Sequence, residues 1–551
     1  MNDEKAEQII SEVNEERGKA TNMLDKYQQF ADLGYPVENQ ITSKKTFGED
    51  KSLDIRDPTA MFALDKAAAG YIGAWIPRER FFFNIVVDNR QIAEMDEVKR
   101  WIGIAVQIVH DEIFKTNYMT NLHNTIKASI GFGIGNNYSE WDTKTQILNF
   151  KDWHVSMYTF KENEQGTVDT MYLQYERTAR QLVNQFDNPG PKVLEAVEKM
   201  KTESKKFSCI HVVRPRIRRC YQLIDKMNMP FESVYVNETE KLIMKEGGYE
   251  EFPFAVPRWE KASCEKWGRG RGLAMLSFIK ELQQMRMDYM ESSNRHNHPP
   301  YEVIANNVEG EVNLKPDGRT DVMERNSINP LNPAMNGNIP VTVEALQDQR
   351  QIIKEGFYSD LFSKIADLKG DRRVQLHLEL LNQETMTQLI SPVSRMESEL
   401  FTPQITRIIK LLMRNSRNGN PVIPPPPSVL RGQSFGIEYM GRLAMAMRDM
   451  QARGFERGMQ MITVMAQTFP EVSDQINLDR ALPDVLLNYG MKVEHLNTPE
   501  EKAAIRQKRE QDMQQQKMMM AAQAAGSAYK GLTGKAEDGS PAEAMMAGMG
   551  A

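Results

Sequence analysis

Residues 383–414 read Gln383-Glu-Thr-Met-Thr-Gln-Leu-Ile-Ser-Pro-Val-Ser-Arg-Met-Glu-Ser-Glu-Leu-Phe-Thr-Pro-Gln-Ile-Thr-Arg-Ile-Ile-Lys-Leu-Leu-Met-Arg414, and a polar hinge leads from there to Pro424-Pro425-Pro426-Pro427. Apolar residues at Met386, Leu389, Val393, Met396 and Leu400 fall three or four apart and, after a skip, resume at Ile405, Ile408 and Leu412. That spacing predicts a helix with one buried stripe. Two prolines interrupt it, and a proline inside a helix costs about 3 kcal/mol. Each follows a hydroxyl residue, Ser391 and Thr402, which suits an N-cap with proline at the first helical position. The path is therefore expected to kink or restart at both prolines.

Around this segment the chain has 551 residues, 40% of them hydrophobic, enough to build real cores in a multi-domain protein. A net charge of −6 argues against a surface coated in basic residues for tight duplex binding, so any contact with DNA has to be local. No apolar run approaches the roughly 20 residues of a membrane helix, and the charged N-terminus lacks a signal-peptide core. Cys209, Cys220 and Cys264 are too few, and odd in number, for a disulfide framework and read as reduced thiols.

The first fifty residues are charged and polar, with a helix expected from about 4 to 31. A helix-compatible run from Ala60 to Trp75 ends at Pro77, Phe81-Phe82-Phe83 opens a strand, and residues 94–130 read as more helix up to Gly131-Phe-Gly-Ile-Gly135. Strand patterns at 155–160 and 168–175 flank a polar turn and predict a hairpin. Helices at about 176–186 and 192–204, a strand from Cys209 to Cys220, and strands at 233–237 and 241–245 complete an α+β region. Beyond it, Met275, Ile279, Leu282, Met285 and Tyr289 make one stripe of a helix over 273–295, roughly 35 Å long at 1.5 Å per residue. After an Asn-, Gly- and Pro-rich excursion with strand-like pieces at 301–305 and 311–314, a second helix is expected from Val343 to Lys364, with Leu346, Ile353, Phe357 and Leu361 on one face. Two long helices flanking an excursion predict an antiparallel pair with a small domain at its tip. Residues 365–376 read as a loop. Helices are expected at 443–469, at 478–488 and from Pro499 to about 525, followed by a disordered tail.

Catalytic patterns are scarce. Gly534-Lys535 is followed by Ala536 and preceded by Tyr529 where a P-loop needs its first glycine, so the phosphate cradle and the Mg²⁺ hydroxyl are missing. Gly268-Arg-Gly-Arg-Gly272 has the wrong spacing for a dinucleotide loop and reads as a hinge. Cys209, His211 and Cys220 match no paired metal-ligand unit, and His296 and His298 suit a helix end. Basic clusters are the remaining candidates. Arg214, Arg216 and Arg218 lie two apart and would share one strand face, as candidates for inter-subunit or phosphate contacts. Lys364, Lys369, Arg372 and Arg373 gather at the loop after the second long helix, where they would meet DNA phosphates without reading sequence if the loop faces a channel.

Several motifs stand in an order that resembles the head-to-tail connecting (portal) proteins of short-tailed, podovirus-like bacteriophages. They are Asp57-Pro58-Thr59, Thr178-Ala179-Arg180-Gln181-Leu182, His211-Val-Val-Arg-Pro215-Arg216, Gly247-Gly248-Tyr249 with Pro253-Phe254, Arg258-Trp259, Trp267-Gly268-Arg269-Gly270 and Pro299-Pro300, then the proline-broken segment and the Leu482 to Arg509 tail. The resemblance spans roughly residues 54–510 and departs from the commoner Gly-Pro at Ser391-Pro392-Val393. It implies a multi-domain α+β portal fold: an N-terminal helix and flexible arm (1–53), an α+β wing (54–272), a first stem helix (273–298), a clip (299–342), a second stem helix (343–364), a tunnel loop (365–376), a kinked wing and crown helix with its proline-rich turn (377–430), a helical crown (431–525) and a disordered tail (526–551). It further implies a non-enzymatic ring, usually a dodecamer, at one capsid vertex of the virion, assembled in the host cytoplasm. Double-stranded DNA would pass through it without sequence specificity. The implied partners are the major capsid and scaffolding proteins, the terminase packaging ATPase and tail adaptor proteins, with no cofactor, metal or membrane. The rival readings are another phage structural or scaffolding protein, or an enzyme with an unrecognised site.

Overall fold

The computed structural model describes residues 2–43, 55–77, 81–93, 95–199, 204–220, 222–223, 225–298, 300–313, 319–330, 339–359, 391–440 and 499–533. Met1–Met447 form one compact unit and Arg448–Ala551 a second. The first begins with helix α1 (Asn2–Gly34), then α2 (Thr59–Trp75), strand β1 (Phe83–Val87), the single turn α3 (Arg90–Ala93), α4 (Asp96–Lys115) and α5 (Tyr118–Gly131). The run expected as more helix over 94–130 is thus two helices, parted at Thr116, whose backbone is extended. Val98, Val106, Val109 and Ile113 form the buried face of α4.

Strands β2 (Asn137–Asp142) and β3 (Ile147–Asp152) form a hairpin extended by β9 (Phe254–Ala255). Beside it, β4 (Tyr158–Glu162), β5 (Val168–Thr178), β6 (Lys206–Pro215), β7 (Phe231–Asn237) and β8 (Leu242–Tyr249) make a five-stranded antiparallel meander. Alternation sorts its side chains by face. Tyr172, Ile210, Val212, Val234 and Val236 meet Ala6, Ile9 and Val13 of α1. Phe207, Cys209 and Met244 meet α6 (Ala179–Gln185) and α7 (Pro191–Glu198) through Leu182, Phe186 and Val193. The N-terminal helix is therefore a packed layer of the fold. Its polar face is tied down by Lys5 to Glu246 at 2.7 Å, Arg17 to Gln174 at 2.8 Å and Glu12 to Arg214 at 3.1 Å. The strand expected to run to Cys220 ends at Pro215; beyond it the Arg216 N–H donates to Pro230 O at 2.8 Å and its guanidinium to the carbonyl oxygens of Met229 and Gly247.

After α8 (Arg271–Ala274), helix α9 (Leu276–Asn297) leads to two short β-pairs. These are β10 (Tyr301–Val303) with β13 (Ile328–Pro330), and β11 (Val308–Glu309) with β12 (Asp321–Val322). The strand-like piece expected at 311–314 is no strand over its described residues, 311–313. Helix α10 (Ile339–Gly356) returns antiparallel to α9, since Gln349 donates to Phe278 O while Gly356 O accepts from Arg271 Nε at 2.7 Å. It starts and ends earlier than the periodicity predicts. Its last turn is closed by Arg271 and by Met275, whose Sδ would lie 2.2 Å from a Cβ at Gly356, and the chain turns away through Tyr358 at φ 55°. Leu346, Ile353 and Phe357 are buried as expected, and Leu361 lies outside the described residues. On α9 only the root of the stripe is core: Ile279 and Leu282 are buried, Met285 and Tyr289 half-buried, and Met287 and Met290 exposed.

Residues 391–396 are helical, Glu397–Phe401 form a π-helical turn, and α11 (Thr402–Arg414) continues the path. A small hairpin of β14 (Ser416–Arg417) and β15 (Asn420–Pro421) follows, the proline tract is anchored where Trp101 Nε1 donates to Pro424 O at 2.8 Å, and β16 (Phe435–Tyr439) pairs with β1. The expected helices over 443–469 and 478–488 fall outside the described residues. The second unit contains α12 (Pro499–Thr533), which runs past the point where a disordered tail is expected to begin. Its Ala-, Gln- and Met-rich sequence has high helix propensity and carries the helix on.

The two glycine-rich runs of the sequence pack against each other backbone to backbone. A Cβ on Gly268 would lie 1.9 Å from Gly133 O, and one on Gly270 2.5 Å from Gly131 O. Gly133 itself adopts φ 104°, the left-handed region that favours glycine. The interlock is closed by Trp259 N–H to Gly133 O at 2.9 Å, Gly270 N–H to Phe132 O at 3.1 Å and Tyr27 Oη to Gly268 O at 2.6 Å. It leaves no open cradle for phosphate and joins α1, α5 and the root of α9.

Two expectations follow. Gly268→Ala forces backbone apart and is expected to cost at least the roughly 1–3 kcal/mol of ordinary overpacking, whereas Gly18→Ala, with nothing within 4 Å, stabilises α1 by about 0.5–1 kcal/mol; thermal melts of both variants check the pair. Asp152, which accepts from Thr125 Oγ1 at 3.1 Å, has its carboxyl pushed up to about 7 by burial, with Glu38 adding to the rise. A raised carboxyl favours the protonated folded state, so stability declines as pH rises from the ordinary 3.8 through 7. Asp152→Asn should raise the melting temperature at pH 8 and change it little at pH 4.

Candidate functional site

The basic residues singled out from sequence separate into two groups. Lys364, Lys369, Arg372 and Arg373 lie outside the described residues. Arg214 sits on β6 and is held by Glu232 and Glu12, with burial acting to lower its guanidinium pKa and the two carboxylates raising it overall. Arg216 is committed to the two backbone carbonyls of the β7–β8 side. Arg218 lies beyond the strand end and is exposed. Two of the three arginines thus have intramolecular partners, and the strand face they were expected to share stops at Pro215. The imagined metal trio is dispersed as well. Cys209 is buried with its thiol pushed up to about 12 by desolvation, His211 is hydrogen-bonded to Ser233 at 2.9 Å and stacked on Tyr235, and Cys220 is exposed in the following loop. Burial holds the His211 imidazole down at about 3, so it is neutral at physiological pH. The side chain of His296 is outside the described residues, and His298 caps α9 through its backbone N–H, which donates to Asn294 O.

What the structure does build is a buried ionic junction centred on Arg258, a residue of the Arg258-Trp259 motif. Its side chain is 2% exposed. All five N–H donors of the guanidinium are occupied. Nε and Nη2 donate to Glu399 at 3.0 and 2.6 Å, Nη2 also to Gly166 O at 3.0 Å, and Nη1 to Glu162 and to Lys266 O. The Arg258 backbone N–H donates to the same Glu399 carboxylate at 2.9 Å, and Lys261 binds Glu162 at 2.6 Å. Two carboxylates and two cations make the cluster neutral. Burial works against the guanidinium charge, and hydrogen bonds and charge from Glu399 and Glu162 override it, so Arg258 holds its proton more tightly than usual.

Glu399 reaches this position because of the π turn. The apolar stripe skips from Leu400 to Ile405, a spacing that an α-helix would rotate off the core. Widening the turn inserts one residue, so Leu400, Phe401, Ile405 and Ile408 are all buried and Glu399 points at Arg258. The same widening accommodates Pro403, which has no N–H to donate, while Thr402 N–H bonds Glu397 O. The kink or restart expected at Thr402-Pro403 takes the form of this π turn, after which α11 begins; the N-cap reading is corrected, since the Thr402 backbone is helical and its hydroxyl pairs with Tyr439 Oη at 3.1 Å. Ser391 is the first described residue of its segment, and what precedes it lies outside the described residues. Further along, Arg407 is buried against Ser139 O and Glu251 O, its guanidinium pKa lowered by desolvation, and Gln404 donates to Asn137 at 2.7 Å.

A second clamp roots the helix pair. Asp57 accepts from Nε and Nη2 of Arg350 on α10 at 2.9 and 2.7 Å, and from Thr59 N–H and Oγ1 at 3.0 and 2.5 Å. Gln283 of α9 accepts from the backbone N–H groups of Arg56 and Asp57 and donates to Asp57 O at 2.8 Å. Burial tends to raise the Asp57 carboxyl, and the Thr59 and Arg350 hydrogen bonds bring it below the ordinary carboxylate range. The motif Asp57-Pro58-Thr59 is thus a bracket for both long helices. Likewise, Thr178 and Gln181 form a reciprocal capping box at α6, which accounts for that motif.

Comparison with known proteins points the same way. The family model described as "Bacteriophage head to tail connecting protein" matches residues 4–496. The chain is 23% identical over 544 residues to the portal protein of Salmonella phage epsilon15, covering 97% of this chain and 96% of that one. It is also 23% identical over 517 residues to the probable portal protein of Bordetella phage BPP-1, covering 92% of this chain and 91% of the other. Among the described residues no helix is long and apolar enough to cross a membrane.

Removing one side of the Arg258 cluster leaves a buried charge without its counter-ion, which costs about 3–5 kcal/mol. Glu399→Gln is expected to lower the denaturation midpoint accordingly. Arg414→Gln, which removes the one-third exposed Arg414 from Glu250 and Glu251, should change stability by no more than about 1 kcal/mol. Equal effects of the two substitutions in urea titrations would contradict the central place of Glu399.

Proposed function

The chain belongs to the bacteriophage head to tail connecting proteins, and from that membership we propose that its copies assemble into a ring, a dodecamer, that forms the channel at one capsid vertex through which double-stranded DNA enters and leaves. The observation that carries this reading is the family match across residues 4–496. The structure supports it in one respect that a lone chain does not explain. The antiparallel pair α9 and α10 is rooted by Asp57 and Gln283, yet its outer half leaves Met287, Met290, Tyr301, Val303 and Ile304 exposed. Apolar side chains at such density along a rod and its tip suit contact with other copies.

In this reading the α+β layers around β4–β8 act as the wing, α9 and α10 as the stem, and the short β-pairs at 301–330 as the clip, where the packaging ATPase docks during filling and the tail adaptor afterwards. The capsid and scaffolding proteins are further partners of the ring. The loop at 365–376 is the tunnel loop, and Lys364, Lys369, Arg372 and Arg373 are its contacts with the passing DNA. A conduit must not bind its cargo tightly. A chain of net charge −6 with a sparse ring of cations lets a polyanion pass while still restraining it. The virion is its final location, and the host cytoplasm is where it assembles.

Electron microscopy of the purified protein is expected to show rings with a central hole. Deleting Leu368 to Arg373 is expected to leave those rings intact and to reduce DNA packaging or retention in assembled particles. Monomers or compact dimers of the parent protein would overturn the ring, and unchanged packaging and retention in the deletion variant would overturn the role of the loop.

A further inference from the structure

Two unlike surface features occupy opposite ends of the five-stranded sheet. At one end, residues 216–230 join β6 to β7, and in this loop Ile217 is 97% exposed, Leu223 56% and Met227 45%. Arg218 and Lys226 are exposed beside them. Its described residues are braced where Arg216 Nη2 donates to Gly247 O on β8 at 2.8 Å, Cys220 N–H to Asn228 Oδ1 at 2.9 Å and Asn228 Nδ2 to Asp225 Oδ1 at 2.6 Å. An isoleucine presented almost wholly to solvent by a braced loop loses little further freedom on contact with a partner.

At the other end, the β7–β8 turn and α1 frame an open groove of about 640 Å³, lined by Glu7, Ile10, Ser11, Asn14, Glu15 and Lys241. Ile10 is only partly covered by the sheet core and forms an apolar floor. Two carboxylates and one ammonium line the groove. Lys241 pairs with Glu7 at 2.9 Å, and Glu15 is met by Lys19 of its own helix in an exposed i,i+4 pair, a weak arrangement that an incoming cation can replace. β7 has seven residues and spans about 20 Å, so the knob and the groove lie too far apart to meet within one subunit.

A cationic apolar knob on one side and, on the other, a groove with an apolar floor and two carboxylates held only by exposed lysines are the two halves of a heterologous contact. Such contacts repeat head to tail and close into a ring when the rotation permits. We propose that the occupant of the α1 groove is the 216–230 loop of a second copy of this chain, with Ile217 seated on Ile10 and Arg218 directed at Glu7 and Glu15. The proposal rests on the ring assembly proposed above and deepens it by naming one contact between neighbouring copies. It also assigns α1 a further role, as the receiving surface for the next subunit.

The test uses the full chain with Cys220→Ser and Cys264→Ser, into which Ile217→Cys and Ser11→Cys are introduced together and separately. Mild oxidation followed by a non-reducing gel is expected to produce a ladder of covalent multimers from the double variant and none beyond a dimer from either single variant. Independently, Arg218→Glu is expected to reduce the fraction of protein in rings several-fold, and Glu15→Lys on that background to restore it. Rings by electron microscopy without a ladder, and without an effect of Arg218→Glu, would overturn the contact while leaving the ring in place. Absence of rings in the parent protein would overturn both.

Discussion

The rest of the structure depends on one buried guanidinium. Arg258 has every donor satisfied, and its partners come from three separate stretches of chain: the β4–β5 hairpin through Glu162 and Gly166, the approach to α8 through Lys266, and the π turn through Glu399. A charge in that setting tolerates no partial arrangement, because an unpaired buried ion costs several kcal/mol. It therefore specifies how the five-stranded sheet, the glycine interlock and the helix at 391–414 sit together. The π turn is the geometric condition for it, since only the widened turn lets Glu399 face inward while Leu400 and Phe401 remain in the core.

From this centre, rigidity extends in both directions. Backbone packing of Gly268 and Gly270 against Gly131 and Gly133 leaves no slack between α5 and the root of α9. Asp57, Arg350 and Gln283 then hold α9 and α10 to the start of α2. On the far side, Gln404 and Arg407 fasten α11 to β2 and to the Glu251 segment, and Trp75 stacks on Phe401 at 4.7 Å. A displacement at the tip of the helix pair thus meets bidentate ion pairs and close-packed backbone rather than a compliant loop. For a family that joins a head to a tail, such continuity is the mechanical requirement.

Much of this was legible in the sequence, though for uneven reasons. Periodicity located α4, α9 and α10 because a buried helical stripe leaves a direct trace. The skip from Leu400 to Ile405 was visible, but the prolines drew it toward a restart, and only the packing of both Leu400 and Ile405 made a π turn the lower-energy solution. The pairing of β16 with β1 was not legible, since a five-residue strand has almost no signature without its distant partner. Nor was the Arg258 cluster, in which Arg258 and Glu399 are 141 residues apart. Alternation suggested that Arg214, Arg216 and Arg218 share a face, and the strand end at Pro215 broke the rule that suggestion relied on.

Taken alone, the sequence determined the element types, the antiparallel rod and the motif order that marks the family. These are local properties, set by spacing and by residue chemistry within a few turns of chain. The tertiary structure decided what the motifs are for. Glycines became a backbone interlock, Asp57-Pro58-Thr59 became a bracket, α1 became a layer of the core, and Glu399 became the counter-ion of Arg258. Those outcomes depend on desolvation and on contacts between residues far apart in the chain, and neither quantity exists until the chain has folded.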